Sequence, residues 1–372
     1  MSFQQLNIHP SILGALEEKG YTQPTPIQQQ AIPAMLSGRD VLASAQTGTG
    51  KTASFSIPLL QLLSAQKGLG GIRGLVLTPT RELAIQVSEN LTQYGKHLSL
   101  RSVLVYGGVP QTQQVNQIKR GADIVIATPG RLMDLIQQRV ISLSNLQILV
   151  LDEADRMLDM GFIRDVQKIL ALVPAPCQKV FLSATIPNEI QELVGKMLRS
   201  PSRIAITPEK TTAVIQQGVY HVARQNKRAL LKHVIADQQM RNVLVFARTK
   251  HGADKIARDL IKSGISAEAF HGNKSQGARQ RTLANFKQNV TRVLVATDIA
   301  ARGIDINDLP FVINYEMPDT VETYTHRIGR TGRAGNAGTA LSFCDYEEQA
   351  QLKSLNRISP GKIEALKHPF MN

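Results

Sequence analysis

The chain has 372 residues, 42% hydrophobic and 19% charged, the make-up of ordinary globular domains and not of a disordered chain; at ~100–200 residues per domain it holds about two. Lys and Arg number 43 against 29 Asp and Glu, a net charge of +14 and a pI near 9.9, so a polyanion, nucleic acid first, is the expected partner. Two cysteines, Cys177 and Cys344, cannot staple this much chain, no run of ~18 apolar residues is long enough to cross a membrane, and residues 1–10 lack a secretory pattern; a reducing, cytoplasmic setting away from membranes is expected.

Short apolar runs come first in chain order. They are Val41-Leu42-Ala43, Leu75-Val76-Leu77, Val103-Leu104-Val105, Ile124-Val125-Ile126, Ile148-Leu149-Val150-Leu151 and Val180-Phe181-Leu182. Each is apolar on both faces and followed by polar, Gly or Pro residues, the pattern of buried parallel strands. Between them, stretches 53–63, 81–94 and 188–198 carry apolar residues at helical spacing. The alternation predicts a parallel sheet covered by helices. Residues 200–217, with Pro201, Pro208, Thr211 and Thr212, have no period and read as a strand end plus linker. The boundary falls near Glu209, giving domains 1–208 and 209–372. The second half repeats the plan with Val243-Leu244-Val245-Phe246, Arg292-Val293-Leu294-Val295-Ala296 and Phe311-Val312-Ile313. Residues 1–208 hold 19 basic and 14 acidic groups, and residues 209–372 hold 24 and 15. Both halves are basic, so one polyanion could bridge them.

Ala45-Gln46-Thr47-Gly48-Thr49-Gly50-Lys51-Thr52 lies between the first strand and the helical stretch 53–63, a strand–loop–helix setting suited to phosphate. Gly48 and Gly50 permit backbone angles and close approaches that a Cβ blocks. Main-chain N–H groups and the helix N-terminus can then face phosphate oxygens. Lys51 is the candidate for the β/γ-phosphates and Thr52 for Mg2+. The strict spacing wants glycine at position 45, where this chain has Ala45. Asp152-Glu153-Ala154-Asp155 follows the run 148–151, and strand ends are where α/β sheets bind ligands. Asp152 suits Mg2+ beside the phosphates. Glu153 suits the base that deprotonates an attacking water.

With the segments below, these motifs resemble the DEAD-box RNA helicases of helicase superfamily 2. The resemblance runs from Phe3 to about Asp345 and is nearest the bacterial RhlE-type subgroup. It implies an α/β fold of two tandem RecA-like domains, each a parallel β-sheet flanked by helices, joined by a flexible linker. It implies ATP and Mg2+ as cofactors and RNA as partner. Gly20-Tyr21-Thr22-Gln23-Pro24-Thr25-Pro26-Ile27-Gln28, with Phe3 upstream, resembles the family's Q motif. There Gln28 reads the adenine edge, Phe3 packs on the base, and Tyr21 and Gln23 share the pocket. A Gln amide can donate and accept at adenine N7 and N6. Ser183-Ala184-Thr185 resembles the motif that couples ATP state to unwinding, a role shared by His326. His326-Arg327-Ile328-Gly329-Arg330-Thr331-Gly332-Arg333 resembles the motif whose Arg330 and Arg333 are arginine fingers. Guanidiniums three residues apart face one way on a helical turn and suit the charge of a transferring phosphoryl group. In Arg302-Gly303-Ile304-Asp305, Asp305 resembles the ribose contact and Gly303 its neighbour in the same pocket. Lys51, Glu153, Arg330 and Arg333 form the catalytic set implied. It is split between the halves, so domain closure has to assemble it.

Pro79-Thr80-Arg81-Glu82, Gly107-Gly108 and Thr128-Pro129-Gly130-Arg131 follow strands of the first half and resemble the family's RNA-backbone motifs. Arg248-Thr249, His271-Gly272, Gln276 with Arg279, and Thr297-Asp298 resemble the matching set in the second half. Phosphate and sugar contacts carry no sequence information. Binding of single-stranded and duplex RNA is therefore expected to be largely sequence-independent. With seven Tyr, ten Phe and no Trp, no base-stacking platform is indicated. The resemblance also implies ribonucleoprotein or RNA-decay proteins as partners, and nothing requires more than a monomer. A double-stranded DNA translocase and an ATP-gated RNA clamp remain open as alternatives. Near the C-terminus, Pro360-Gly361 is expected to break a helix.

Overall fold

The computed structural model describes residues 2–45, 48–65, 70–206, 215–236, 240–301, 306, 308–332, 337–358 and 363–370. The chain divides into two compact units, Met1–Pro208 and Glu209–Asn372, and each contains a seven-stranded sheet.

The first unit holds β1 (Val41–Ser44), β2 (Gly74–Leu77), β3 (Ser102–Val105), β4 (Ile124–Ala127), β5 (Ile148–Leu151), β6 (Gln178–Ser183) and β7 (Ser202–Ala205). They pair in the order β3-β4-β2-β5-β6-β1-β7, all in parallel. The second unit holds β8 (Ile215–His221), β9 (Val243–Phe246), β10 (Ala267–Phe270), β11 (Val293–Ala296), β12 (Phe311–Asn314), β13 (Gly338–Cys344) and β14 (Ile363–Leu366). Their order is β10-β11-β9-β12-β13-β8-β14, again all parallel. Counted from its own first strand, each sheet has the same order. The chain is two parallel sheets flanked by helices, the tandem RecA-like plan.

Period-2 alternation sorts each strand into two apolar layers. In β1, Val41 and Ala43 join the layer with Val76, Val150 and Leu182. Leu42 joins the opposite layer with Leu75, Leu77, Leu149 and Leu151. A strand buried on both faces needs apolar residues at every position, hence the unbroken runs of β2, β4 and β5. Each such side chain contributes about 1.5–3 kcal/mol by burial. Truncating one, as in Leu149→Ala, would open a cavity at a cost of ~2–5 kcal/mol.

The stretch 81–94 forms the helix Arg81–Tyr94, 53–63 lies within Lys51–Ala65, and 188–198 forms Asn188–Met197. The stretch 200–217, which reads as a strand end plus linker, differs: it contains all of β7 and the start of β8. β7 is an edge strand in which Ile204 alone is buried, so it shows no apolar run. The expected boundary near Glu209 lies outside the described residues, as does Pro360-Gly361. Beyond them the edge strand β14 closes the second sheet against β8.

Candidate active site

β1 ends beneath the glycine-rich loop. The Ala45 N–H donates to the Ser183 carbonyl of β6 at 3.1 Å, which ties the loop to the neighbouring strand. Gln46 and Thr47 lie outside the described residues. Gly48 and Gly50 have φ of 85° and 91°, the left-handed region that favours glycine. A Cβ on Gly50 would sit 2.4 Å from Gln28 Nε2, so the position also needs the space. Gln28 is buried, with both ends of its amide engaged. Its Oε1 accepts from the Thr25 N–H at 3.0 Å, capping the helix Pro26–Leu36, and its Nε2 donates to the Gly50 carbonyl at 3.2 Å. The Q segment thus buttresses the phosphate loop. Phe3 is in the core, its ring stacked on Tyr21 at 6.4 Å between centroids. Tyr21 in turn meets the Tyr94 hydroxyl at 3.1 Å, and Gln23 is exposed. The Lys51 ammonium donates to the Ala45 carbonyl at 2.7 Å, folding its stem back across the loop. Thr52 is half-buried on the first turn of the helix Lys51–Ala65.

Asp152 is held at the end of β5 by its N–H, which donates to Leu77 of β2 at 2.9 Å. Its side chain is 2% exposed. Its Oδ1 has no hydrogen-bond partner among the described residues. A buried, unsatisfied carboxylate oxygen is costly. Burial, reinforced by the neighbouring Glu153 charge, pushes its pKa up to about 7 despite the opposing pull of Lys51 and Arg156. Such an oxygen fits a hard divalent cation, which prefers oxygen donors. Among the described residues no cluster of three or more His, Cys, Asp or Glu could hold a metal by itself. That donor set matches Mg2+ held by one or two protein oxygens together with phosphates.

Glu153 takes a left-handed conformation, φ 55° and ψ 53°, at the start of the helix Ala154–Asp159, a strain of ~1–3 kcal/mol for a residue with a side chain. Its carboxylate is ion-paired with Arg156, and both side chains are about nine-tenths buried. Asp155 faces the segment 183–185. Its Oδ2 accepts from the Ala184 N–H (3.1 Å), the Thr185 N–H (2.8 Å) and the Thr185 hydroxyl (3.0 Å). Its own N–H donates to Ser183 Oγ at 3.2 Å. Sequence reasoning missed both Asp155 and Arg156 as site residues. The signal available was the segment 152–156, where Asp155, the last of the tetrad, and Arg156, the residue after it, follow the metal and base candidates within one helical turn.

In the second unit, Arg330 is buried and borders a shallow cleft with His326, Thr323 and Phe246. Arg333, Gly303 and Asp305 lie outside the described residues. The cleft is organised by Arg327, which no motif reading singled out. It forms a bidentate pair with Asp298 (2.6 and 2.7 Å). It also donates to Asn314 Oδ1 (3.1 Å) and the Glu316 carbonyl (2.8 Å), and lies 5.0 Å from the Phe246 ring centre. Asp298, expected at RNA, therefore spends both carboxylate oxygens on Arg327.

The segments expected at RNA follow β2, β3 and β4 in the first unit, which are neighbours in its sheet. Their loops interlock. The Arg81 guanidinium fills the space over Gly108, where a Cβ would lie 2.3 Å from it. Arg131 Nη2 donates to the Val109 carbonyl at 3.2 Å. Thr80 caps the helix Arg81–Tyr94, accepting from the Leu83 N–H at 3.3 Å. Thr128 precedes the helix Pro129–Gln137, whose Gly130 is exposed. Glu82 is buried, and Pro79 and Gly107 complete the edge. In the second unit the matching segments follow β9, β10 and β11, again three neighbours. Arg248 is 48% exposed at its side chain, and Thr249 and Gly272 are exposed, with Thr297 half-buried. His271, Gln276 and Arg279 are buried instead. His271 sits 3.1 Å from Asp254, and Arg279 packs on Phe270.

Comparison with known proteins agrees with this geometry. Residues 25–193 match the family described as DEAD/DEAH box helicase, and residues 226–335 match the helicase conserved C-terminal domain. The DEAD-box ATP-dependent RNA helicase CshA of Bacillus cereus is 40% identical over all of this chain and 70% of its own length. The RNA helicase CrhR of Synechocystis is 41% identical over 99% of this chain and 75% of its own. Neither carries the RhlE name. Saccharomyces cerevisiae Dbp5 bound to RNA and ADP BeF3 superposes with a TM-score of 0.86 at 28% identity, covering 98% of this chain and 95% of that one. A DEAD box protein from Methanococcus jannaschii is 40% identical, with a TM-score of 0.56 and 99% of each chain covered. The chain belongs to the DEAD-box ATP-dependent RNA helicases.

Proposed function

We propose that this protein hydrolyses ATP to ADP and phosphate and uses that cycle to open short stretches of RNA duplex locally. The observation that carries the reading is Asp152 Oδ1, buried beside a phosphate loop and without a partner among the described residues. The loop N–H groups and Lys51 hold the nucleotide phosphates. Asp152 and Thr52 hold Mg2+, whose charge offsets that of the phosphates when it is bound. Glu153 accepts the proton of the attacking water, and Arg156 fixes the position of its carboxylate. Arg330 and Arg333 meet the charge that develops on the phosphoryl oxygens. They belong to the second unit, so hydrolysis requires both units to act together.

RNA lies along the strand-end loops, bound by backbone N–H groups, hydroxyls and guanidiniums that read phosphate and sugar. Asp155 and the segment 183–185 link the metal-binding strand end to its neighbour, and they relay the nucleotide state. RNA and ATP then raise each other's affinity by the same factor. We place this activity in the cytoplasm, on a monomer, with ribonucleoprotein or RNA-decay proteins as partners. Two buried free thiols, Cys177 and Cys344, suit a reducing compartment. Among the described residues no helix is long and apolar enough to cross a membrane.

The test is ATP hydrolysis by the purified chain with single-stranded RNA, duplex RNA or matched DNA, alongside strand separation. Stimulation by RNA over DNA, with duplex opening, is the expected result. Equal stimulation by DNA would point to a DNA translocase. Long-lived RNA complexes without strand separation would point to a clamp.

A further inference from the structure

We propose that the outer face of the helix Lys250–Lys262 is an auxiliary track for RNA backbone, holding the part of an RNA that runs past the strand-end loops. The inference rests on the RNA-helicase reading above. The helix starts directly after Arg248-Thr249, and Thr249 caps it by accepting from the Gly252 N–H at 3.0 Å. Its buried face is Ala253, Ile256, Ala257 and Leu260. At ~100° per residue, His251, Lys255, Arg258 and Lys262 fall within an arc of about 60°, opposite that face. All four are exposed.

The acids on this helix do not cancel the stripe. Asp254 and Asp259 flank it, half-buried, and each is already paired with cations from other elements. Asp254 holds His271 (3.1 Å) and Lys274 (2.9 Å). Asp259 holds Arg228 (3.3 Å). Lys255, Arg258 and Lys262 form no ion pair among the described residues. An ordinary solvated helix face mixes both signs and gains i,i+4 pairs; this one presents a single sign along its length. At 1.5 Å per residue the stripe extends ~16 Å. The chemistry matched is a flexible polyanion that continues from Arg248 and Thr249.

The test is the triple variant K255Q/R258Q/K262Q in the full chain, which leaves every strand-end loop intact. RNA affinity is measured against salt for single strands of about 8 and about 30 nucleotides. For the long strand, the slope of log affinity on log salt is expected to flatten by about 2, at ~0.7 for each phosphate that the variant no longer neutralises. The short strand's affinity and its stimulation of ATP hydrolysis should not change. The charge-keeping variant R258K should bind the long strand as the unaltered chain does. An unchanged slope on the long strand overturns the track. So does an equal weakening on both lengths, which would assign these charges to the general field of the unit. If the unaltered chain binds neither strand, the helicase reading itself fails.

Discussion

The two units share one sheet order and treat the same strand ends in opposite ways. In the first, β1 runs into a loop with two left-handed glycines, and β5 is followed by the buried Asp152, whose Oδ1 has no partner among the described residues. In the second, β8 runs into Val222 and a short turn, and β12 ends on Asn314. Both ends of that amide are engaged: its Nδ2 donates to Ser342 Oγ at 3.1 Å, and its Oδ1 accepts from Arg327. The first unit thus stores unmet bonding capacity where phosphate and metal would sit. At its corresponding strand end the second pairs Asn314, Arg327 and Asp298 with one another and so fixes a cation in place. The architecture assigns neither role; the bonding state of a few side chains does.

The comparison breaks most sharply at Arg330. If the second unit supplies a preset cation, Arg330→Ala should lower RNA-stimulated turnover by up to ~10³–10⁵ while nucleotide affinity holds. A loss confined to RNA affinity would make Arg330 an RNA contact instead. Glu153→Gln tests the first unit: turnover should fall ~10²–10⁴ with nucleotide still bound in an equilibrium titration. Next is the pairing of Arg327 in the second unit. Asp298→Asn removes the charge opposing buried Arg327 and should cost about 3 kcal/mol, since Asp298 is only partly exposed. Thermal unfolding reads that loss, and an unchanged midpoint would mean Arg327 is held by Asn314 and Glu316 alone. Gly50→Ala is milder. The φ of 91° and the Gln28 amide together imply ~1–3 kcal/mol. Adding Gln28→Ala should recover the steric part but not the torsional part.

β1 to β6, β9, β11 and β12 were legible because burial demands unbroken apolar runs, and this includes the edge strand β3. β7, β8, β10, β13 and β14 were not: β7 buries one residue and β14 none, β8 and β13 carry Gln, Gly, Thr or Ser among their apolar residues, and β10 carries Glu268. Among site residues, the glycines, Lys51 and Asp152 declare themselves through spacing, because phosphate chemistry restricts what can stand there. Asp155, Arg156 and Arg327 do not. Their importance lies in which partner they meet, and contacts such as Asp155 to Thr185 or Arg327 to Asp298 join residues far apart in sequence. Burial of His271, Gln276 and Arg279 was equally hidden, since polar side chains suggest a surface.

The last prediction concerns pH, and it has opposite signs in the two units. Burial, then the Glu153 charge, pushes the Asp152 carboxyl up to about 7, against ~3.9 in an unfolded chain. The folded state therefore binds the extra proton between those values, and this contribution to stability is lost as pH rises from ~4 to ~7. Asp254 is the reverse case. Burial disfavours its charge, but hydrogen bonds from Lys274 and His271 outweigh that and hold its pKa below the ordinary range. Its contribution is present at neutral pH and lost on acidification below ~4. Thermal unfolding of the full chain across pH 3–8 should separate the two, with Asp152→Asn flattening the upper limb and Asp254→Asn the lower. Cation binding must use ionised Asp152, so affinity for Mg2+ with nucleotide should rise by at most ~tenfold per pH unit up to about 7 and level off above. If Asp152→Asn left that pH dependence in place, the titrating group would be elsewhere, and Asp152 would lose its assignment as the metal ligand.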